Sequence, residues 1–122
     1  MSTLIENNAV VLFQGDSITN AGRSRDNDAD LGHGYAALAA AWFSALYPEK
    51  NVKFLNRGIS GNRVADLKAR WDNDCLDLHP TWVSIMIGIN DTWRRFDSDD
   101  PTSTENYERD FRFICTEVHD KL

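Results

Sequence analysis

A chain of 122 residues is long enough to bury one core and short for two domains. Hydrophobic residues make up 42% of it and charged residues 26%, the balance of a folded globular protein rather than a disordered or fibrous one. The formal net charge of −6, with no Lys/Arg-rich run, excludes the electrostatic footprint of a nucleic-acid or anionic-membrane binder.

The opening residues, MSTLIENNAVVLF, carry neither a basic leader nor a long apolar segment before a small-residue cleavage site, which predicts a cytoplasmic chain. No apolar stretch reaches membrane-spanning length. The apolar run at 9–13, bounded by Asn and Gly, reads as a strand buried on both faces. Tyr35, Leu38, Trp42 and Leu46 then recur at helical spacing, and residues 52–56 return to a strand pattern. Val64, Leu67, Trp71 and Cys75 mark a second helix, and 82–87 a third strand. After a polar stretch at 97–104 comes a helix over 105–122, with Tyr107, Phe111, Ile114, Val118 and Leu122 on one stripe and Thr102 and Glu105 as its capping box. Cys75 and Cys115 lie in helical stretches without metal-type spacing and read as buried free thiols.

Strands alternating with helices imply right-handed crossovers and a parallel sheet, an α/β fold. Three strands make a narrow sheet, and the last helix has no succeeding strand beside which to pack its stripe. An open edge of that kind is expected to drive homo-oligomerisation or pairing with a complementary C-terminal segment.

Each strand ends in a polar turn containing glycine: Gly15-Asp16-Ser17, Gly58-Ile59-Ser60-Gly61-Asn62 and Gly88-Ile89-Asn90-Asp91. In a parallel sheet the carboxyl ends of the strands share one edge, where ligands bind, so the three clusters converge. Acyl transfer needs a nucleophile and donors aimed at a developing oxyanion. Ser17 could supply a hydroxyl and its own N–H, Gly61 an N–H with no Cβ in the way, and Asn90 a side-chain amide. Singly, each cluster serves equally as ordinary structure: Gly-Asp-Ser as a helix cap, Gly61 as a positive-φ turn, Asn90 as an Asx turn. The glycines do not fall at G-x-G-x-x-G spacing, and no P-loop is present. An anion nest at Gly15–Asn20 is opposed by Asp16, whose carboxylate repels phosphate.

In order, GDSIT, GISGN and GIND resemble the first three sequence blocks of the SGNH, or GDSL-type, hydrolase superfamily of serine esterases. The stretches GHGYAALAAAWFSALYPE, VADLKARW and WVSIMIGINDTWRRFD resemble the branch containing intracellular acetylxylan esterases. The resemblance implies a flavodoxin-like sheet with helices on both faces, truncated after about three strands, so that 1–122 is the N-terminal portion of a single domain. It implies Ser17 as nucleophile, Gly61 and Asn90 as oxyanion donors, and Asp16 and Asp91 as supporting residues of the first and third blocks. It implies deacetylation of small carbohydrate esters such as acetylated xylo-oligosaccharides, with no cofactor or metal. Trp93 and Arg94, beside Arg95, and Tyr35 are candidates for bordering the substrate, although Trp93 serves equally as a cover for the core.

The family's base, a histidine in a D-x-x-H-P block, is absent from this sequence. Asp77-Leu78-His79-Pro80 has the wrong spacing and precedes a strand, which puts it at the sheet edge opposite Ser17. His33 lies in a loop that could approach the catalytic edge, and His119 lies in the last helix. The same absence is accommodated by a non-catalytic relic that binds sugar or serves in assembly.

Overall fold

A computed structural model describes residues 2–122. Strands β1 (Val10–Gly15), β2 (Lys53–Asn56) and β3 (Trp82–Met86) form one parallel sheet in the order β2-β1-β3. In register, Leu12 lies beside both Leu55 and Val83, and Gly15 beside Met86. The helices are α1 (Ser17–Asn20), α2 (Tyr35–Leu46), α3 (Val64–Ala69), α4 (Trp71–Asp74), α5 (Ile89–Asp97) and α6 (Thr104–Lys121). None is long and apolar enough to cross a membrane among the described residues.

The period-two alternation of β1 divides the core. Val11 and Phe13 pack with Val52, Phe54, Tyr35 and Ala36, so α2 covers one face. Leu12 packs with Leu55, Val64, Leu67, Trp71, Cys75 and Ile114, so α3, α4 and α6 cover the other. Full burial of each such side chain stabilises the fold by about 1.5–3 kcal/mol, which is why the central strand reads as a continuous apolar run.

Four expectations need correction. The helix expected across 64–75 breaks at Arg70 (φ −109°, ψ 12°), although Val64, Leu67, Trp71 and Cys75 remain one buried stripe. The third turn opens a helix, α5, which the polar composition of 89–97 concealed. Ser103 rather than Thr102 caps α6, its Oγ accepting from Asn106 N at 3.1 Å. Cys75 is buried and free, its thiol pushed up to about 12 by desolvation, but Cys115 is exposed.

The stripe of α6 also finds a partner without a fourth strand. Ile114 is fully buried, and Tyr107, Phe111 and Val118 pack against the core that α3 and β3 share, leaving Leu122 exposed. Both β2 and β3 are edge strands, and at the outer edge of β3 Trp82 and Met86 are exposed.

Charge fixes the docking of α6. Asp110, buried, accepts from Lys68 Nζ of α3 and from Arg109 Nε, both at 3.1 Å. The hydrogen bond from Arg109, and after it that from Lys68, holds the Asp110 carboxyl below the usual aspartate range. A native pKa below the unfolded value stabilises at neutral pH, and that contribution disappears as pH falls from the ordinary value of about 3.9 through the lower native one. The protection factor of the Ile114 amide is therefore expected to fall over this window, and Asp110→Asn to remove that acid-dependent step. An unchanged profile in Asp110→Asn would show that the pair does not hold α6.

Candidate active site

The first turn is shaped by what cannot fit. A Cβ on Gly15 would collide with Thr19 Oγ1 and lie 2.5 Å from the Met86 carbonyl oxygen, so only glycine lets β1 pass between α1 and β3. Asp16, 1% exposed, caps α1 by accepting from Ile18 N at 2.9 Å. The cap leaves Ser17 exposed as the first residue of α1, and its Oγ makes no hydrogen bond among the described residues.

The second turn is stitched to the first. Ile59 N donates to Gly15 O at 3.1 Å, and Asn20 Nδ2 to Ser60 Oγ at 3.3 Å. Beneath them Asn56, buried at the end of β2, donates to Thr19 O (2.7 Å) and Leu31 O (2.9 Å) and accepts from Gly58 N (2.9 Å). Gly58 is packed so closely on Thr19 and Asn20 that a Cβ would strike their backbone. Gly61 differs: its φ of +84° favours glycine, yet the space where a Cβ would stand is empty. Its exposed backbone faces open space.

In the third turn Gly88 adopts φ +137° and α5 begins at Ile89. Asn90, half-buried, donates from Nδ2 to the Asn62 carbonyl at 3.1 Å. Asp91, buried, accepts from Val64 N at 3.1 Å and so caps α3 from another element. The Gly61–Asn62 turn and the Asn90 amide therefore meet, and the carboxyl ends of β1 and β3 set Ser17 at the same sheet edge.

The other candidates lie variously. The Tyr35 hydroxyl shares a 2.7 Å hydrogen bond with Thr19 Oγ1 and its ring packs edge-on to Phe13, so it braces α1 from the core side. Trp93 is 55% exposed and does not cover the core, and Arg94 pairs with Asp97 at 2.6 Å. A cavity of about 420 Å³ lined by Gly88, Asp91, Arg95, Ser103 and Tyr107 adjoins the third turn but includes none of Ser17, Gly61 and Asn90. His79, with φ +49°, precedes β3 and lies at the opposite end of the sheet from Ser17, as its sequence position suggested. His33 is exposed and bonded through its backbone to Ala21 O, and His119 pairs with Asp120 on α6. Among the described residues no imidazole is hydrogen-bonded to Ser17, and no three His, Cys, Asp or Glu side chains converge as a metal would require. Asn56, Gln14 and Arg70 support the turns but were not foreseen. A polar residue at the buried end of an apolar strand, as at Gln14 and Asn56, was the available signal.

Residues 13–121 match the GDSL-like lipase/acylhydrolase family. The chain belongs to this family. An acetylxylan esterase of Geobacillus stearothermophilus is 52% identical over 91 residues, covering 71% of this chain and 42% of that protein. A solved structure of a Geobacillus stearothermophilus acetylxylan esterase superposes with a TM-score of 0.93 at 41% identity, covering 98% of this chain and 58% of its own. The solved forms of that esterase include catalytic mutants in which a serine, an aspartate or a histidine is replaced by alanine. An alpha/beta hydrolase from the metagenome of Lake Arreo superposes with a TM-score of 0.91 at 37% identity, covering 97% of this chain and 58% of its own. This GDSL-like chain thus spans a little over half the length of these solved relatives, and its three-stranded sheet with helices on both faces matches their fold.

Proposed function

We propose that the chain holds the nucleophile and oxyanion donors of a serine carboxylic ester hydrolase whose substrates are small acetylated carbohydrates. The observation that carries this reading is the arrangement at the sheet edge: an exposed Ser17 hydroxyl with no competing hydrogen bond, at the edge where the Asn90 amide meets the Gly61 turn. Attack of Ser17 Oγ on an acetyl carbonyl, its proton passing to the general base that later returns it to the leaving sugar oxygen, forms the ester C–O bond while the carbonyl electrons move to oxygen, which then accepts from the N–H groups of Ser17 and Gly61 and from Asn90 Nδ2. Collapse expels the sugar alkoxide, which takes a proton, and water releases acetate from the acyl-serine. Side chains provide the acid and base in such a mechanism, so no cofactor is required. Asp16 is committed to its cap and cannot serve as the base; a D-x-x-H block on a complementary C-terminal segment fits that role, and the open edge of β3 is where such a segment would add a strand. The acetyl and carbohydrate preferences are supported by the esterase relatives.

The chain alone is expected to release p-nitrophenol from p-nitrophenyl acetate only slowly, and much faster when a segment carrying the D-x-x-H block is supplied; p-nitrophenyl palmitate should be turned over far more slowly than the acetate. Brisk turnover by the chain alone would assign the base to another group, with His33 the first to test. No turnover by the associated pair would favour a sugar-binding or assembly module.

A further inference from the structure

The break between α3 and α4 falls at Arg70, whose side chain is 15% exposed and reaches all three strand-end turns directly or through one residue. Nε donates to Asn62 Oδ1 at 2.8 Å. Nη1 donates to Gln14 Oε1 and Asp74 Oδ2, both at 3.0 Å, and Nη2 approaches Gly15 O at 3.4 Å. Gln14, fully buried, closes the ring by donating from Nε2 to Asp74 O at 2.6 Å. Gly15 carries the nucleophile two residues on. Asn62 follows Gly61, and its carbonyl is the acceptor that holds the Asn90 amide. One planar, five-donor group therefore ties the nucleophile turn to the turn bearing one oxyanion donor, and through Asn62 to the other.

We propose that Arg70 is a positioning residue for the oxyanion donors: its guanidinium sets the spacing between the Ser17 turn, Gly61 and Asn90. This rests on the esterase reading of the same edge. A lysine cannot replace it, because a single ammonium cannot span acceptors that the rigid guanidinium fork reaches from separate nitrogens. Donors must be placed to a fraction of an ångström before the oxyanion forms, so a small relaxation of these turns acts on the transition state more than on substrate binding.

The test uses the whole 122-residue chain, with and without the complementary segment. The variants are Arg70→Lys and Asn62→Ala, with Arg112→Lys as the control, since Arg112 pairs with exposed Glu108 on α6. In ¹⁵N–¹H spectra both variants are expected to move the Asn90 side-chain amide and the Gly61 backbone amide while distant α6 amides stay in place; the control should move neither. In the preparation that turns over p-nitrophenyl acetate, kcat is expected to fall about 10- to 100-fold with KM nearly unchanged. If Arg70→Lys fails to fold, Asn62→Ala carries the test, because it cuts the link to Arg70 while keeping the Asn62 carbonyl. Folded variants whose Asn90 and Gly61 resonances and kcat equal the parent's would overturn the proposal. Absence of Ser17-dependent turnover in the parent would overturn the esterase reading instead, and the spectra would still decide the role of Arg70.

Discussion

Ser17→Ala is expected to lower p-nitrophenyl acetate turnover by about 10⁴- to 10⁶-fold in the preparation that carries a base, while leaving the fold intact. The size follows from what the alanine removes. Without the hydroxyl no acyl-enzyme can form, and what survives is the contribution of donors and binding, which in serine proteases stripped of their nucleophile is about 10³–10⁴ over water. Stability should change by no more than about 0.5 kcal/mol, because Ser17 is exposed, its Oγ makes no hydrogen bond among the described residues, and the cap of α1 comes from the Asp16 carboxylate. Kinetics together with thermal unfolding separate the two effects. A folded Ser17→Ala protein that still hydrolyses the acetate at the parent's rate would move the nucleophile elsewhere.

Trp71→Ala is expected to leave little folded protein. Trp71 is 1% exposed at the start of α4 and shares its core with Leu12, Leu55, Leu67 and Ile114, so it joins the central strand to α3 and α6. Deleting a buried tryptophan costs about 3–5 kcal/mol, against total stabilities of about 5–15 kcal/mol for ordinary domains. A narrow sheet with an open edge belongs at the low end of that range. Trp71→Phe should fare much better: the indole Nε1 is buried and has no partner among the described residues, so the phenyl ring removes a donor with no protein acceptor along with some volume. Urea unfolding of the two variants compares them directly. Equal midpoints for Trp71→Ala and the parent would mean that this core is not what holds the helices to the sheet.

The parts of the fold that were legible are those set by local pattern. The apolar runs located all three strands to within two residues at either end, because a strand flanked by helices must be apolar in sequence to be buried in space. The glycine turns were legible for the same reason: the collisions around Gly15 and Gly58 leave room for no side chain, and the positive φ of Gly61 and Gly88 favours glycine. Helix α5 was not legible, because the polar composition of 89–97 hides the three- and four-residue spacing of Ile89, Trp93 and Phe96, which the fold leaves exposed. The cap of α6 was misread by one residue because Thr102 and Ser103 both offer a hydroxyl, and only backbone geometry chooses between them. Arg70 was out of reach, since Gln14 and Arg70 meet across 56 positions of chain and no periodicity joins them. The convergence of Ser17, Gly61 and Asn90 on one edge could be inferred from topology; the hydrogen bond from Asn90 to Asn62 could not.

Two carboxylates cap the start of α3: its own Asp66, which accepts from Arg63 N at 2.8 Å, and one borrowed from residue 91, the immediate neighbour of the Asn90 amide. Chain order and structural dependence therefore run partly in opposite directions here, because the helix at 64–69, which caps itself through Asp66, gains its second carboxylate from a turn synthesised more than twenty residues later. A ribosome-bound intermediate that has emerged only as far as β3 holds the nucleophile turn, the Gly61 turn and the Asp66 cap, but not the second cap of α3. Anyone dividing this protein for a split reporter should cut within the exposed 97–101 segment rather than after β3, since the earlier cut parts a helix from one of its two capping carboxylates.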